Sequence, residues 1–195
     1  MNSTINRSRK IYTIILPLLV ILVSILVMII PTFLTTGVSR ITTSKEINLP
    51  LILNDEKDIK LIFFGYSGCS DICTPRLLSI AKFYRTLNKE IKNRVGVEFL
   101  DISIPNDETL PKRFAEFFNP SFKGIYLSKD TLRDYTKEFK VFFSQSLIDK
   151  TEYDHTVNLY LVKKENNKKI LRYIYNAFPF DYKQIKLDIK ELLNE

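Results

Sequence analysis

Two cysteines and one histidine are the residues of this chain whose types and spacing could do metal or redox chemistry. Cys69 and Cys73, its only cysteines, lie just after the apolar run of residues 61–64. His155, its only histidine, lies just before the apolar run of residues 157–162. Two thiols and an imidazole are the soft and borderline ligands that suit copper, above all Cu(I). These three residues, each beside a predicted strand, could form one copper site.

The spacing of the two cysteines is compatible with both metal binding and redox chemistry. Residues 70–72 separate Cys69 from Cys73, whereas a thioredoxin-type redox motif has a C-x-x-C spacing. A strand that leads into the start of a helix puts thiols near free backbone N–H groups, which lowers the thiol pKa and favours the thiolate. If residues 69–73 form a helical turn, both sulfurs lie on one face. The pattern favours a metal without excluding a reactive disulfide.

The histidine supplies a third ligand if the fold brings residue 155 close to the cysteine loop. In a thioredoxin-like sheet these two segments meet at the same edge. A Cys, Cys, His set suits three-coordinate Cu(I) and leaves room for a further ligand with Cu(II), whereas a structural zinc is almost always held by a closed set of four ligands. Asp71 and Asp154 are predicted to support the ligands; Asp154 could orient the imidazole or act as a fourth ligand.

Two simpler interpretations of the same residues remain open. In an exported domain, Cys69 and Cys73 could form a small structural disulfide. A lone histidine such as His155 is more often a hydrogen-bonded or surface residue than a ligand. The joint occurrence of all three beside predicted strands favours a shared site.

The elements that must position these residues alternate along the chain. Predicted strands cover residues 60–66, 95–103, 124–127, 156–163 and 169–175, and predicted helices cover residues 75–91, 107–118 and 130–139 with a last one opening at Asp181. The first strand is nearly all apolar, which indicates burial on both faces. This order, closed by a hairpin and a helix, predicts an α/β fold with a thioredoxin-like domain.

The N-terminal region predicts a membrane anchor. Residues 11–30 carry no charge and are long enough to cross a bilayer as a helix. The basic residues that precede them favour a cytoplasmic N-terminus, and a cleaved signal peptide is the alternative. The predicted organisation is a basic cytoplasmic N-terminus at 1–10, a transmembrane anchor at 11–31, a linker at 32–45 and a copper-binding domain at 46–195. We therefore expect a single-pass protein of the inner (cytoplasmic) membrane whose domain lies in the periplasm or an equivalent exported space.

The charge of the chain indicates little about its partners. The formal net charge is +7, but the first 40 residues contribute basic side chains and no acidic ones. The remainder is close to balanced, and no basic stripe interleaved with aromatic residues stands out. Nucleic-acid binding is not supported.

The sequence resembles the SCO/SenC family, the membrane-tethered copper chaperones of cytochrome c oxidase assembly. That family shows an aromatic-Gly-Tyr-Thr run, a Cys-Pro-Asp-x-Cys-Pro loop and, much later, Asp-His-Ser before a strand. Residues 63–73 and residues 154–156 stand at the corresponding places, and the intervening residues 97–103 and 117–125 follow the family's order of elements. The resemblance covers residues 58–193.

The resemblance implies that Cys69, Cys73 and His155 are copper ligands. It further implies delivery of copper to the CuA centre of oxidase subunit II, or thiol reduction there. Ser70 and Thr74 stand where the family's loop has prolines, so this loop departs from the pattern. A metallochaperone would not be an enzyme in the turnover sense; the alternatives are a tethered thiol–disulfide oxidoreductase that acts on an exported partner, and a copper or redox sensor.

Overall fold

The computed structural model describes residues 15–27, 39–49, 57–104, 107–149, 152–166 and 168–194. The chain divides into two compact units, Met1–Val38 and Ser39–Glu195. In the first unit, residues 15–27 form helix α1. Among the residues that the structure describes, no helix has both the length and the apolar character needed to cross a bilayer. The anchor predicted at 11–31 extends beyond the described residues at both ends and stays a prediction.

The second unit alternates strands and helices before it closes with a hairpin and a helix. Its strands are β1 (Arg40–Glu46), β2 (Ile59–Gly65), β3 (Val95–Asp101), β4 (Lys123–Ile125), β5 (Phe143–Gln145), β6 (Tyr153–His155), β7 (Leu159–Glu165) and β8 (Lys168–Tyr175). Its helices are α2 (Cys73–Thr86), α3 (Lys89–Arg94), α4 (Leu110–Phe118), α5 (Lys129–Phe139) and α6 (Tyr182–Asn194).

Six strands form one mixed sheet in the order β1-β8-β7-β2-β3-β4. Strands β2, β3 and β4 run parallel, whereas β7, β8 and β1 are joined by antiparallel pairings. The register of the edge strand β1 shifts between Thr42 and Lys45. Strands β5 and β6 form a separate two-stranded hairpin.

The sheet is covered on both faces, and β2 lies at its centre. Leu61 and Phe63 face one core cluster, which includes residues of α2 and α6. Ile62 and Phe64 face the other cluster, which includes residues of α5. Every residue of β2 is buried, which confirms the prediction drawn from its continuous apolar run.

A buried carboxylate ties the first strand of the unit to the last helix. Asp188 in α6 is fully buried and forms an ion pair with Arg40 of β1 at 2.9 Å. The same carboxylate accepts hydrogen bonds from the hydroxyl of Tyr175 at 2.6 Å and from Nε2 of Gln184 at 2.7 Å. Because a buried charge is tolerated only when it is well paired, this network fixes β1 against β8 and α6.

The structure differs from the predicted elements in three main respects. Residues 40–45, predicted to be linker, belong to β1, whose polar sequence gives no clear strand pattern. The single helix predicted at 75–91 is two helices, because Leu87 is extended and the side chain of Asn88 caps α3 by accepting from Ile91 N at 2.9 Å. The β5–β6 hairpin was not predicted, since its strands are short and largely exposed.

Candidate metal centre

The two cysteines lie where β2 passes into α2. Cys69 is in the connecting loop and Cys73 is the first residue of α2, and both thiols are free and buried. The backbone N–H of Cys73 donates to Sγ of Cys69 at 3.2 Å. The hydroxyl of Thr74 donates to the carbonyl oxygen of Cys69 at 2.7 Å. The start of a helix thus presents donors to the Cys69 sulfur, as expected for a thiol placed there.

The histidine reaches this loop from the β5–β6 hairpin. His155 is the last residue of β6, and its Nε2 lies 3.6 Å from Sγ of Cys73. Its Nδ1 lies 2.9 Å from the carbonyl oxygen of Thr156. An imidazole that donates from Nδ1 to a carbonyl keeps a lone pair on Nε2, which is the arrangement of a typical metal-ligating histidine.

The two acidic residues predicted to support the ligands make other contacts. The carbonyl oxygen of Thr156 makes the contact to Nδ1 of the imidazole. Asp154 is exposed and pairs in the hairpin register with Ser144. Asp71 is exposed and accepts a hydrogen bond from the hydroxyl of Ser70 at 2.7 Å. A role for either carboxylate at the metal stays a prediction.

The three donor side chains are neighbours, but they do not surround a common point in this conformation. Within the described ranges, no group of three or more His, Cys, Asp and Glu side chains is arranged to hold a metal ion. The sulfur of Cys69 accepts a hydrogen bond from the backbone N–H of Cys73. Metal binding by all three residues therefore requires a local adjustment of the cysteine side chains.

The electrostatics of the pair favour one thiolate and one thiol. The pKa of Cys69 falls to about 5, chiefly because the Cys73 thiol donates a hydrogen bond to it, with further help from backbone N–H groups and Tyr66. The pKa of Cys73 is raised, because its thiol serves as that donor and is buried. The pKa of His155 is lowered, chiefly by burial. At neutral pH the metal-free site therefore holds a Cys69 thiolate, a Cys73 thiol and a neutral imidazole.

This distribution predicts a thiolate that titrates in mildly acidic solution. The ultraviolet thiolate absorbance of the reduced, metal-free chain should pass half its plateau near pH 5, since the pKa of Cys69 is lowered to about 5. Because the pKa is lowered, the signal is lost below that pH and complete well before neutrality. Cys73→Ala removes the principal donor and should move the midpoint to higher pH, whereas Cys69→Ala should abolish the transition. A wild-type midpoint near that of an ordinary cysteine contradicts the assignment.

A second buried carboxylate holds the loop that carries Cys69. Asp101, at the end of β3, is fully buried. Its Oδ2 accepts from the backbone N–H of Ser67 at 3.0 Å and from the Ser67 hydroxyl. Its Oδ1 accepts from the backbone N–H and the hydroxyl of Ser103, at 2.8 and 2.6 Å. Asp101 thus joins the segments that leave β2 and β3. Sequence reasoning missed this residue, although polar side chains after neighbouring parallel strands mark the sheet edge where sites form.

Tyr66 and Gly65 complete the walls of the site. The ring of Tyr66 packs against Tyr153 with centroids 5.4 Å apart and lies edge-on to His155 at 6.2 Å, so it connects the hairpin to the cysteine loop. A Cβ on Gly65 would lie 2.7 Å from Sγ of Cys73. Only glycine therefore allows Cys73 to approach the end of β2 this closely.

An open cavity of about 460 Å³ adjoins the histidine. It is lined by Phe142, Phe143, Ser144, Asp154, His155 and Thr156. The imidazole is therefore accessible from the hairpin side of the site.

Comparison with known proteins identifies the family. A family model described as SCO1/SenC matches residues 56–193. The chain belongs to the SCO1/SenC family. The resemblance drawn from the cysteine and histidine motifs is thereby confirmed.

The SCO1/SenC relatives are distant and longer than the matched region. A SCO2-like protein of Rickettsia conorii is 30% identical over 132 residues, which cover 64% of this chain and 63% of that protein. The protein sco1 of Schizosaccharomyces pombe is 33% identical over 121 residues, or 57% of this chain and 45% of that protein. The chain thus spans less than two thirds of the length of these curated relatives.

Solved structures of SCO proteins share the fold. The apo Sco1 protein of Thermus thermophilus superposes with a TM-score of 0.60 at 25% identity, covering 81% of this chain and 95% of that one. Copper-bound ScoI of Arabidopsis thaliana gives a TM-score of 0.57 at 19% identity, covering 71% and 86% of the two chains. The predicted thioredoxin-like α/β fold is confirmed.

Proposed function

We propose that this SCO1/SenC protein is a copper metallochaperone that delivers copper to the CuA centre of cytochrome c oxidase subunit II. The observation that carries the proposal is the meeting of two free thiols and an imidazole at one end of the sheet, with Nε2 of His155 3.6 Å from Sγ of Cys73. Solved relatives from Arabidopsis thaliana and yeast are described as having copper bound, which supports copper as the cargo.

The protonation states of the metal-free site suggest an order of binding. The thiolate of Cys69 is the first donor available to incoming Cu(I), because its pKa is lowered to about 5. Cys73 then gives up its proton as its sulfur binds, and Nε2 of His155 supplies a neutral third donor. Cu(I) keeps its oxidation state throughout, so transfer needs only the replacement of these donors, one at a time, by ligands of the acceptor.

The second candidate is a thiol–disulfide oxidoreductase, which the lowered pKa of Cys69 favours. The Cys69 thiolate would attack a partner disulfide, form a mixed disulfide and release one partner thiolate. Cys73 would lose its proton and attack the Cys69 sulfur, releasing the reduced partner and leaving a Cys69–Cys73 disulfide. The raised pKa of Cys73 makes this second step demanding.

We place the domain in the exported space, tethered to the cytoplasmic membrane with its N-terminus in the cytoplasm. The support for this placement is the uncharged run of residues 11–30 and the basic residues that precede it. An anchor of this kind would keep the copper site near a membrane-bound oxidase.

The test is copper stoichiometry and transfer. The reduced full chain, wild type beside Cys73→Ser, is titrated with Cu(I) without oxygen and then mixed with the metal-free, reduced CuA domain of subunit II. One tightly held Cu(I) per chain that moves to the CuA domain supports the chaperone, and Cys73→Ser should weaken binding strongly. Failure to bind copper specifically, together with reduction of an oxidised CuA domain, would establish the oxidoreductase instead.

A further inference from the structure

We propose that Arg76 determines the ligand specificity of the copper site, because its guanidinium is a fixed positive charge that draws anionic thiolate ligands towards Cys69 and Cys73. This inference rests on the chaperone of the proposed function and deepens it by naming the class of ligand with which the site exchanges copper. That class is an anionic thiolate, on a small thiol carrier or on a protein acceptor.

Arg76 lies near the start of α2, on the side of the helix that carries Cys73. It follows Cys73 by three positions, and residues at this spacing are neighbours on a helix surface. Long helical side chains lean back towards the helix N-terminus. In agreement, Nη1 of Arg76 donates to the carbonyl oxygen of Ile72 at 3.3 Å. The guanidinium therefore lies beside the turn in which the Cys73 sulfur is held.

An aromatic ring holds the guanidinium in this place. Cζ of Arg76 lies 4.5 Å from the ring centroid of Phe178, in the segment between β8 and α6. Phe178 packs edge-on against the buried ring of Phe180, with centroids 5.6 Å apart. A cation over an aromatic face is attracted by the ring. The ring and the helix carbonyl together fix the position of the charge.

The charge of Arg76 interacts with all three predicted ligands. Burial lowers the pKa of the Arg76 guanidinium, and the negative charges of Cys73 and Cys69 oppose that change. The pKa of His155 is lowered chiefly by burial, and the charge of Arg76 lowers it further. The pKa of Cys73 is raised chiefly by its hydrogen bond to Cys69, and Arg76 partly offsets that rise. Because an arginine is effectively always protonated, this positive charge is permanent.

The guanidinium keeps a donor that the described part of the chain does not use. Its Nε–H is buried and has no hydrogen-bond partner among the described residues. A buried donor without an acceptor is costly, and an anionic ligand atom is a stronger acceptor than a neutral one. The unpaired Nε–H of Arg76 therefore favours the arrival of an anion over that of a neutral ligand.

The copper centre needs a nearby cation when its ligands change. Cu(I) bound by two thiolates and a neutral imidazole carries one net negative charge, and a third thiolate that enters during transfer adds another. An anionic ligand is therefore repelled by the loaded site unless a cation offsets the charge. A neutral nitrogen or thioether ligand meets no such repulsion and gains little from the cation. Arg76 thus favours exchange of copper with thiolates.

The first measurement tests the charge on the reduced, copper-free full chain. The rates at which iodoacetate and iodoacetamide alkylate Cys69 are compared by mass spectrometry. Both reagents react with the same thiolate, so the ratio of the two rates reports the charge of the reagent and not the fraction of thiolate. Arg76→Gln should lower the iodoacetate-to-iodoacetamide ratio by about threefold or more, because a neighbouring unit charge alters the encounter with an anion by about that factor even in water.

Two further variants separate charge from other effects. Arg76→Lys keeps the positive charge and should keep the ratio. Arg85→Gln removes an exposed positive charge from the last turn of the same helix, and it should leave the ratio unchanged because salt screens charges at longer range. An unchanged ratio in Arg76→Gln overturns the inference. Equal changes in Arg76→Gln and Arg85→Gln also overturn it, since they would reflect net charge alone.

The second measurement follows copper. Uptake of Cu(I) by the reduced full chain is timed without oxygen from the anionic glutathione complex and from the cationic acetonitrile complex. Arg76→Gln should slow uptake from glutathione by about threefold or more and should not slow uptake from acetonitrile. Equal slowing with both sources would assign Arg76 a purely structural role and overturn the inference. Absence of uptake by the wild type from either source would overturn the chaperone as well, whereas normal uptake with an unchanged alkylation ratio overturns the inference alone.

Discussion

Replacing His155 with alanine should lower the affinity of the reduced chain for Cu(I) by about 100-fold or more, because changes to residues that merely support a ligand already cost 10–100-fold. The imidazole is held in one orientation by the carbonyl of Thr156 and presents Nε2 beside Cys73. Its loss leaves the two sulfurs without the third donor. Competition with a calibrated Cu(I) chelator, without oxygen, measures the change.

The same variant separates the two candidate functions. Dithiol exchange by the cysteine pair should be largely retained in His155→Ala, because the chief cause of the lowered pKa of Cys69 is the Cys73 thiol. Ser144→Ala is the matched control, since it alters an exposed residue of the same hairpin that has no predicted role at the metal, and its effect on affinity should be small. Unchanged copper affinity in His155→Ala would exclude the three-ligand chaperone site.

Replacing Asp101 with alanine should both destabilise the domain and weaken copper binding. Its removal leaves the backbone N–H groups of Ser67 and Ser103 without their acceptors. Because each unsatisfied donor costs about 1–3 kcal/mol, we expect the unfolding free energy to fall by about 3 kcal/mol. Because Ser67 precedes the cysteine loop, we expect the Cu(I) affinity to fall by about tenfold or more. Asp101→Asn, which keeps one carbonyl acceptor, should give intermediate values.

Asp188→Ala distinguishes loop positioning from general loss of stability. Asp188 is equally buried, but its partners are Arg40, Tyr175 and Gln184, none of which is a predicted copper ligand. It should lose a similar unfolding free energy, about 3 kcal/mol, with its Cu(I) affinity unchanged. Denaturant unfolding measures the loss of stability, and chelator competition without denaturant, where both variants are folded, measures the copper affinity. Equal copper affinities in the two alanine variants would show that Asp101 acts on stability alone.

The parts of the structure that follow local sequence patterns could be predicted. The apolar run of β2 indicated a central buried strand, and a cysteine loop at a strand–helix junction indicated where the thiols would lie. The proximity of His155 to the cysteine loop was expected because these segments share a sheet edge in a thioredoxin-like domain, although the structure supplies His155 from the unpredicted β5–β6 hairpin. Each of these predictions needed only residue type, spacing and one assumption about topology.

The parts that depend on distant partners could not be predicted. Strand β1 is polar and forms only because β8 offers an edge for pairing, so its sequence was interpreted as linker. The β5–β6 hairpin has strands too short to show an alternating pattern. The role of Asp101 depends on β3 lying beside β2, which brings Ser67 within reach of a residue 34 positions away. Contacts between residues so far apart in the sequence cannot be recognised from residue type and spacing alone.

The two edge strands of the sheet, β1 and β4, determine whether copies of the domain can pair with one another through their sheets. Unpaired strand edges can join sheets of different molecules, and proteins counter this with bulges, charged residues or very short strands. The edge strand β1 has a register shift and ends in Lys45 and Glu46, while the opposite edge, β4, is only three residues long. Copies of the domain should therefore resist edge-to-edge aggregation even at high concentration.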